Sequence, residues 1–228
     1  MTSSVPESEP HRIEQAQPEL YQGQFGPFTI TAHDRREVIY YRSGLAIAAL
    51  CFAIATALIF IQKDAPWLGT ALSLLYGGFV LALGGSLITI HIYLASLHRL
   101  LQIFWGIGAI ASLAIVLKSS EPLAIAVYAH PVLLLGVGFT FAALTGIFFK
   151  EAFCFNRLET KLLTPIVPLL LVGHLLGIMP VGVEKTFLGL WAVLMLVFAC
   201  RKAVQPIPPD IGDKSVFTYL REQKGQRA

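Results

Sequence analysis

The chain has 228 residues, 55% of them hydrophobic and only 14% charged, with a mean hydropathy of +0.68. Soluble domains carry about 25% charged residues, so the deficit of charge excludes an ordinary soluble domain and indicates a membrane protein. The net charge of +3 says little by itself; its distribution is informative, and no nucleic-acid partner is expected.

Residues 1–20 are rich in Ser, Glu, Gln and Pro and bury too little apolar surface to offset ordering entropy, which predicts a disordered polar tail. The first 40 residues contain no apolar h-region, so no cleavable signal peptide is expected and the first span itself directs insertion. Residues 21–43 read as a surface segment. Tyr21 to Thr31 alternates apolar and polar residues between glycines, which suggests a short extended or hairpin structure, and His33 to Arg42 has the basic and aromatic content of the headgroup layer.

Apolar runs of about 18 residues or more can cross a hydrocarbon core. Six spans follow within residues 44–200, over roughly 44–61, 68–94, 100–117, 123–149, 163–181 and 186–200, which makes the fold an all-α polytopic bundle. The second and fourth are long enough to tilt or project. Pro131 removes a backbone donor within the fourth span and is expected to kink it. Thr164 followed by Pro165 reads as an N-cap and N1 pair starting the fifth helix. The sixth span is short, so Arg201 and Lys202 are expected to snorkel outward at the start of a basic tail, residues 201–228.

The basic residues sort by side. Arg12, Arg35, Arg36 and Arg42, then Arg99, then Lys150, Arg157 and Lys161, and finally Arg201, Lys202, Lys214, Arg221, Lys224 and Arg227 all fall on one side, and only Lys63, Lys118 and Lys185 on the other, 14 against three of the 17. Positive loops stay cytoplasmic. Both termini are therefore expected on the cytoplasmic side, or the stromal side of a thylakoid. Each opposite loop also pairs its lysine with an acid: Asp64, Glu121 and Glu184.

No Asp, Glu, Lys or Arg lies deep inside a span, which argues against a charge-coupled carrier. His130 and His174 sit at similar depth below the outer face, while His91 is close to the inner one. Two readings stand for the first pair. They ligate a haem iron or a chlorophyll magnesium, or they hydrogen-bond across helix interfaces. The freed carbonyl beside Pro131 adds to the interest of His130, and His130, Pro131 and His174 form the candidate cofactor or solute site. Small residues recur at helical spacing: Ala49, Ala53 and Ala57; Gly78, Ala82 and Ser86; Gly138, Ala142 and Gly146; Gly173 and Gly177. Such seams let helix backbones approach closely, within one chain or against another subunit. The cysteines Cys51, Cys154 and Cys200 are odd in number and widely spaced, so neither a disulfide framework nor a metal site is expected. Residues 150–161 read as a polar loop with Glu151, Cys154, Arg157 and Glu159, held by local ion pairs or carrying a redox-sensitive thiol.

Tyr21-Gln-Gly-Gln-Phe-Gly-Pro-Phe-Thr-Ile-Thr31, Asp34 to Arg42, Lys150-Glu-Ala-Phe-Cys-Phe155 and the helix from Pro168 to Gly177 resemble a family of predicted integral membrane proteins of cyanobacteria and plastids, domain of unknown function 2301. The resemblance covers roughly residues 20–205 and implies a multi-span protein in the inner or thylakoid membrane of an oxygenic phototroph, with no catalytic residues to carry over. No nucleophile–base pair or metal-ligand spacing appears, so an enzyme is not expected. The leading expectation is a non-catalytic accessory or assembly protein with lipid and other membrane subunits as partners and no cofactor. The alternatives are a facilitator for a small neutral solute and a haem- or chlorophyll-binding protein.

Overall fold

The computed structural model describes residues 19–62 and 64–225, the side chain of Lys224 excepted. The expected disorder of residues 1–20 therefore concerns residues almost entirely outside those described. The chain divides into two compact units, residues 1–31 with 213–228, and residues 32–212.

In the smaller unit, β1 (Leu20–Gly23) and β2 (Gly26–Thr29) pair antiparallel with Leu20 opposite Thr29 and Gly23 opposite Gly26. Gln24 and Phe25 form the turn, and Gly26 takes φ +130°, open only to glycine at low strain. The last helix of the chain, residues Lys214–Gly225, belongs to this unit. Asp213, just before it, accepts hydrogen bonds from the Gln24 N–H at 2.6 Å and the Ser215 hydroxyl at 2.6 Å. The Ser215 hydroxyl, with the Gln24 N–H, holds the Asp213 carboxyl below its ordinary value, because both donate to the ionised form. The Phe25 N–H donates to the Ser215 hydroxyl at 3.0 Å and the Phe25 ring stacks on Tyr219 at 4.0 Å, so polar and aromatic contacts together join the hairpin tip to this helix.

The larger unit is helical throughout. Its elements are α1 (Ala32–Ile61), α2 (Leu68–Thr89), α3 (Ala95–Lys118), α4 (Leu123–Ala129), α5 (Leu134–Phe155), α6 (Leu158–Leu175), α7 (Val181–Val204) and α8 (Pro208–Ile211); the helix at Lys214–Gly225 is α9. Six helical segments, α1, α2, α3, α5 with the 3-10 turn before it, α6 and α7, are long and apolar enough to cross a membrane. A helix satisfies its backbone internally, as any lipid-exposed span must. α1 packs on α2 and α7, α3 on α5, and α6 on both α5 and α7. Large apolar side chains point outward at heptad spacing, Leu74, Leu81 and Ile88 on α2 and Ile103, Ile110 and Leu117 on α3, the reverse of a soluble protein and suited to acyl chains.

Close helix approach is set by small residues, partly those the spacing singles out. A Cβ on Gly44 would strike the Ala82 carbonyl and the Ser86 hydroxyl, and that hydroxyl donates to the Tyr41 carbonyl at 3.0 Å. Gly78 faces Cys51, and Gly146 receives Leu101. α3 and α5 also meet at Gly108, packed against the backbone of Thr140. Trp105 packs against Gly84 and donates its N–H to the Val80 carbonyl at 2.8 Å. Gly138 faces open space, while Ala142 is half-buried. Gly173 and Gly177 do not form one seam. Gly173 is covered by Met179, and Gly177, at φ +64°, terminates α6. The Gly177 N–H bonds the His174 carbonyl at 3.0 Å and the Ile178 N–H bonds the Gly173 carbonyl at 3.2 Å, the paired bonds of a glycine-stopped helix.

Three local expectations are corrected. Pro131 does not kink a continuous fourth span; the helix stops at Ala129, His130 leaves helical geometry at φ −123°, ψ 80°, and Pro131 opens a 3-10 turn that leads into α5. The residue before a proline is driven out of the α region, and here that preference wins. Thr164 and Pro165 do not start α6, which begins at Leu158 and carries Pro165 and Pro168 inside it. The Thr164 hydroxyl donates to the Thr160 carbonyl at 2.8 Å, a local exchange that, with neighbouring helices, allows proline inside a span. Residues 150–161 are not a loop. α5 continues to Phe155, Asn156 turns the chain in left-handed geometry at φ 51°, and α6 begins two residues later. Asn tolerates that conformation better than most residues.

Gly108→Ala is expected to destabilise the bundle by about 1–3 kcal/mol by wedging α3 from α5, whereas Gly106→Ala, at a position with open space, is expected to leave thermal unfolding in detergent unchanged.

Candidate functional site

At the end of the bundle formed by the start of α1, the α5–α6 turn and the end of α7, charge is buried. Lys202, 1% exposed, is not snorkelled but sits between Glu151 and Asp210. Its ammonium lies 2.7 Å from Glu151 Oε2, contacts Asp210 Oδ1, and faces the Phe155 ring at 4.2 Å. Glu151, 0% exposed, also accepts from the Tyr41 hydroxyl at 2.9 Å and from Lys150 at 3.0 Å. Asp210 accepts from Arg42 at 2.7 Å, and Arg42 in turn donates to the carbonyls of Gln205 and Pro206 at 2.6 and 2.9 Å. Arg157 donates to the Gln205 side chain, and Arg201 to Glu159 at 2.9 Å. The ion pairs of the Lys150–Lys161 region thus include long-range ones to α7, from Glu151 to Lys202 and from Glu159 to Arg201. Sequence spacing shows no sign of this, because Glu159 and Arg201 lie 42 positions apart and Glu151 and Lys202 lie farther apart still; the only hint is an acid inside an otherwise apolar helix end. Cys154, beside this cluster in sequence, is an exposed free thiol.

Nearby, Glu37 Oε2 lies 3.6 Å from His33 Nδ1 and 3.3 Å from His91 Nε2, so His91 closes onto the first turns of α1.

The opposite end is hollow. A cavity of about 550 Å³ is lined by α1, α2, α4, α5, α6 and α7, a volume in the ordinary range for small-molecule sites. Its wall is apolar, with Phe52, Leu72, Leu75, Phe79, Val137, Phe141 and Leu188 among the lining residues, and its polar groups include Tyr76, His174, Glu184 and Lys185. An aromatic layer forms the floor: Phe52 packs on Trp191 at 4.3 Å, Phe79 on Phe141 at 5.7 Å, and Trp191 meets Phe141 edge-on at 5.4 Å. Tyr76 in this layer shares its hydroxyl with Ser112 at 2.9 Å and Thr140 at 3.1 Å, and is thereby turned toward α3 and α5. Beyond the layer, Leu83, Leu87, Leu144, Ile147 and Phe148 are fully buried and fill the bundle.

His174 lines this cavity and His130 does not. His174 Nδ1 lies 2.7 Å from Glu184 Oε1, and its ring stacks on Tyr128 at 5.0 Å. His130 is exposed at the end of α4, its N–H bonded to the Ala126 carbonyl at 3.0 Å. Pro131 opens the turn that makes α4 a short separate helix lining the cavity rather than an extension of α5. Of the three residues singled out from the sequence, one is in the cavity wall, one shapes a segment of that wall, and one faces outward. Glu184 was read from the sequence as the acid of a hairpin tip; its one-turn approach to His174 depends on the tight α6–α7 connection at Gly177.

These features define a multi-pass integral membrane protein of six apolar helices. The family model for uncharacterized integral membrane proteins (DUF2301) matches residues 85–219, more than half of the chain, and the chain belongs to that family. No curated protein and no solved structure matches it.

Lys202→Met leaves Glu151 and Asp210 without the cation between them and is expected to lower stability by about 3–5 kcal/mol. Adding Glu151→Gln to it is expected to recover part of the loss, measured as thermal inactivation of monodispersity in detergent.

Proposed function

We propose that the protein is a non-catalytic accessory component of its membrane that holds an apolar small molecule in the cavity between α1, α2, α4, α5, α6 and α7. One observation carries this reading: the bundle, tightly packed beyond its aromatic floor, leaves about 550 Å³ open at one end, walled by hydrocarbon and supplied with a few polar groups beside His174. Apolar walls with few, placed polar groups are the pattern of a binding site rather than of a water-filled conduit. A facilitator needs a route past Phe52, Phe79, Phe141 and Trp191, and the packed layer behind them speaks against one. A haem held by two histidines loses its second ligand, because His130 faces away from the cavity. The reading includes neighbouring membrane subunits as hosts, no resident haem or chlorophyll, and both termini on the cytoplasmic or stromal side, supported by the division of basic residues, 14 against three.

Purification in mild detergent followed by solvent extraction and mass spectrometry is expected to yield an apolar molecule in near-equal amount to the protein, colourless in the visible range. Ala55→Phe, which fills the cavity, is expected to lose it while folding normally. An empty wild-type cavity would remove this reading, and a haem or chlorophyll spectrum would replace it with a pigment-binding one. For orientation, single-cysteine variants at Ser119 and at Lys214, in a chain lacking its native cysteines, are expected to react with a membrane-impermeant maleimide from outside at Ser119 only.

A further inference from the structure

We propose that His33, Glu37 and His91 bind a divalent transition-metal ion of the zinc class, at the end of the bundle where α1 begins. The site is separate from the cavity, and its existence does not depend on what the cavity holds.

His33, Asp34 and Glu37 occupy positions i, i+1 and i+4 of α1. At 3.6 residues per turn that spacing gathers the three side chains within a sector of about 100° of the helix surface. Their ligand atoms lie within 4.8 Å of one another. His91 comes from the connection between α2 and α3. Two imidazole nitrogens then converge on one carboxylate oxygen: Glu37 Oε2 lies 3.6 Å from His33 Nδ1 and 3.3 Å from His91 Nε2. Spacing along the chain shows only the part on α1, and the fold brings His91 to it.

The separations favour an ion over a hydrogen-bonded cluster. A charge-assisted bond from a ring nitrogen to a carboxylate closes to about 2.7–2.9 Å, and His174 and Glu184 of this same chain stand at 2.7 Å. Zinc holds nitrogen and oxygen ligands at about 2.0–2.2 Å in a tetrahedron, which sets neighbouring ligand atoms about 3.3–3.6 Å apart. Both distances at Glu37 have that length. Asp34 places a second carboxylate beside the group, so two acids face two imidazoles, and a dication balances the acids when the rings are neutral. Imidazole with carboxylate suits zinc and its first-row neighbours, whereas calcium and magnesium take oxygen ligands. The group is also open to entry, because the His33 side chain is 70% exposed and that of Glu37 33%.

Parts of this arrangement have ordinary explanations. An acid in the first turn complements the helix dipole, and His33 with Glu37 is a common i, i+4 pair. Neither accounts for a second imidazole, from another connection, directed at the same oxygen. A bound ion ties the start of α1 to the α2–α3 connection.

The test uses the full-length protein with a tag free of histidine, purified in detergent and stripped with EDTA. Zn²⁺ affinity is measured by competition with a chromophoric chelator, and Co²⁺ serves as the spectroscopic probe. One ion per chain is expected, with the intense visible absorption of tetrahedral Co²⁺, and Zn²⁺ is expected to raise the unfolding temperature because it binds the native state. His33→Ala removes an exposed side chain. It is expected to lower Zn²⁺ affinity about hundredfold, since loss of an outer partner alone costs about 10–100-fold, and to leave unfolding of the metal-free protein unchanged. His91→Ala is expected to lower the affinity as much. His130→Ala and Cys154→Ser, which alter exposed metal-seeking groups elsewhere, are expected to leave it unchanged. Absence of stoichiometric binding, affinity undiminished in His33→Ala, or a weak octahedral Co²⁺ spectrum would each overturn the proposal. Affinity lost in Cys154→Ser instead would overturn it in favour of a thiol site.

Discussion

The Lys202 ammonium, held between Glu151 and Asp210, is the interaction on which the rest of the bundle depends. It joins α7 to α5 and to the short α8, and Glu151 and Asp210 carry the connection on to Tyr41 and Arg42 of α1. Removing ions from water is costly, and their mutual attraction offsets this only where geometry is good and the remaining hydrogen-bonding positions are filled. Here they are filled by a tyrosine hydroxyl, a second lysine, a guanidinium and a glutamine amide. Such a cluster has few alternative arrangements. It sets the register of four elements at once, in a setting where apolar helices slide past one another with little change in burial.

That constraint divides the molecule into a locked end and an open one. With α1, α5 and α7 tied together at their charged ends, the aromatic layer of Phe52, Phe79, Phe141 and Trp191 closes the middle of the bundle, and space remains beyond it. The break at His130 and Pro131 turns α4 into a separate piece of the cavity wall, and the glycine stop at Gly177 brings α7 back beside α6 closely enough for Glu184 to meet His174. Each of these devices is a backbone exception in an otherwise regular helical fold. Together they account for a polar group in a hydrocarbon cavity without any ionisable residue at mid-depth in the spans.

Much of the architecture was legible in the sequence because hydrophobic length is a local quantity. The six spans and their order follow from runs of apolar residues, and the small residues at Gly78, Ala82, Ser86 and Gly146 do lie where helices meet. Local patterns failed where a residue has two local meanings. Thr164-Pro165 has the form of a helix start and lies inside α6. Gly173 and Gly177 have the spacing of a packing seam, and one of them is a helix stop. Lys202 has the position of a snorkelling side chain and is buried, because two carboxylates distant in the chain reach it.

The sequence by itself determined that this is a membrane protein of six apolar helices and that its basic residues gather at alternate turns, since both follow from the free energy of placing each residue type in hydrocarbon or water. Only the tertiary structure decided which charged residues are buried together, where the bundle is hollow, and that His174 rather than His130 faces the hollow. Those outcomes depend on contacts between residues tens of positions apart and on the few backbone turns that aim them, and neither is written in the local pattern of the chain.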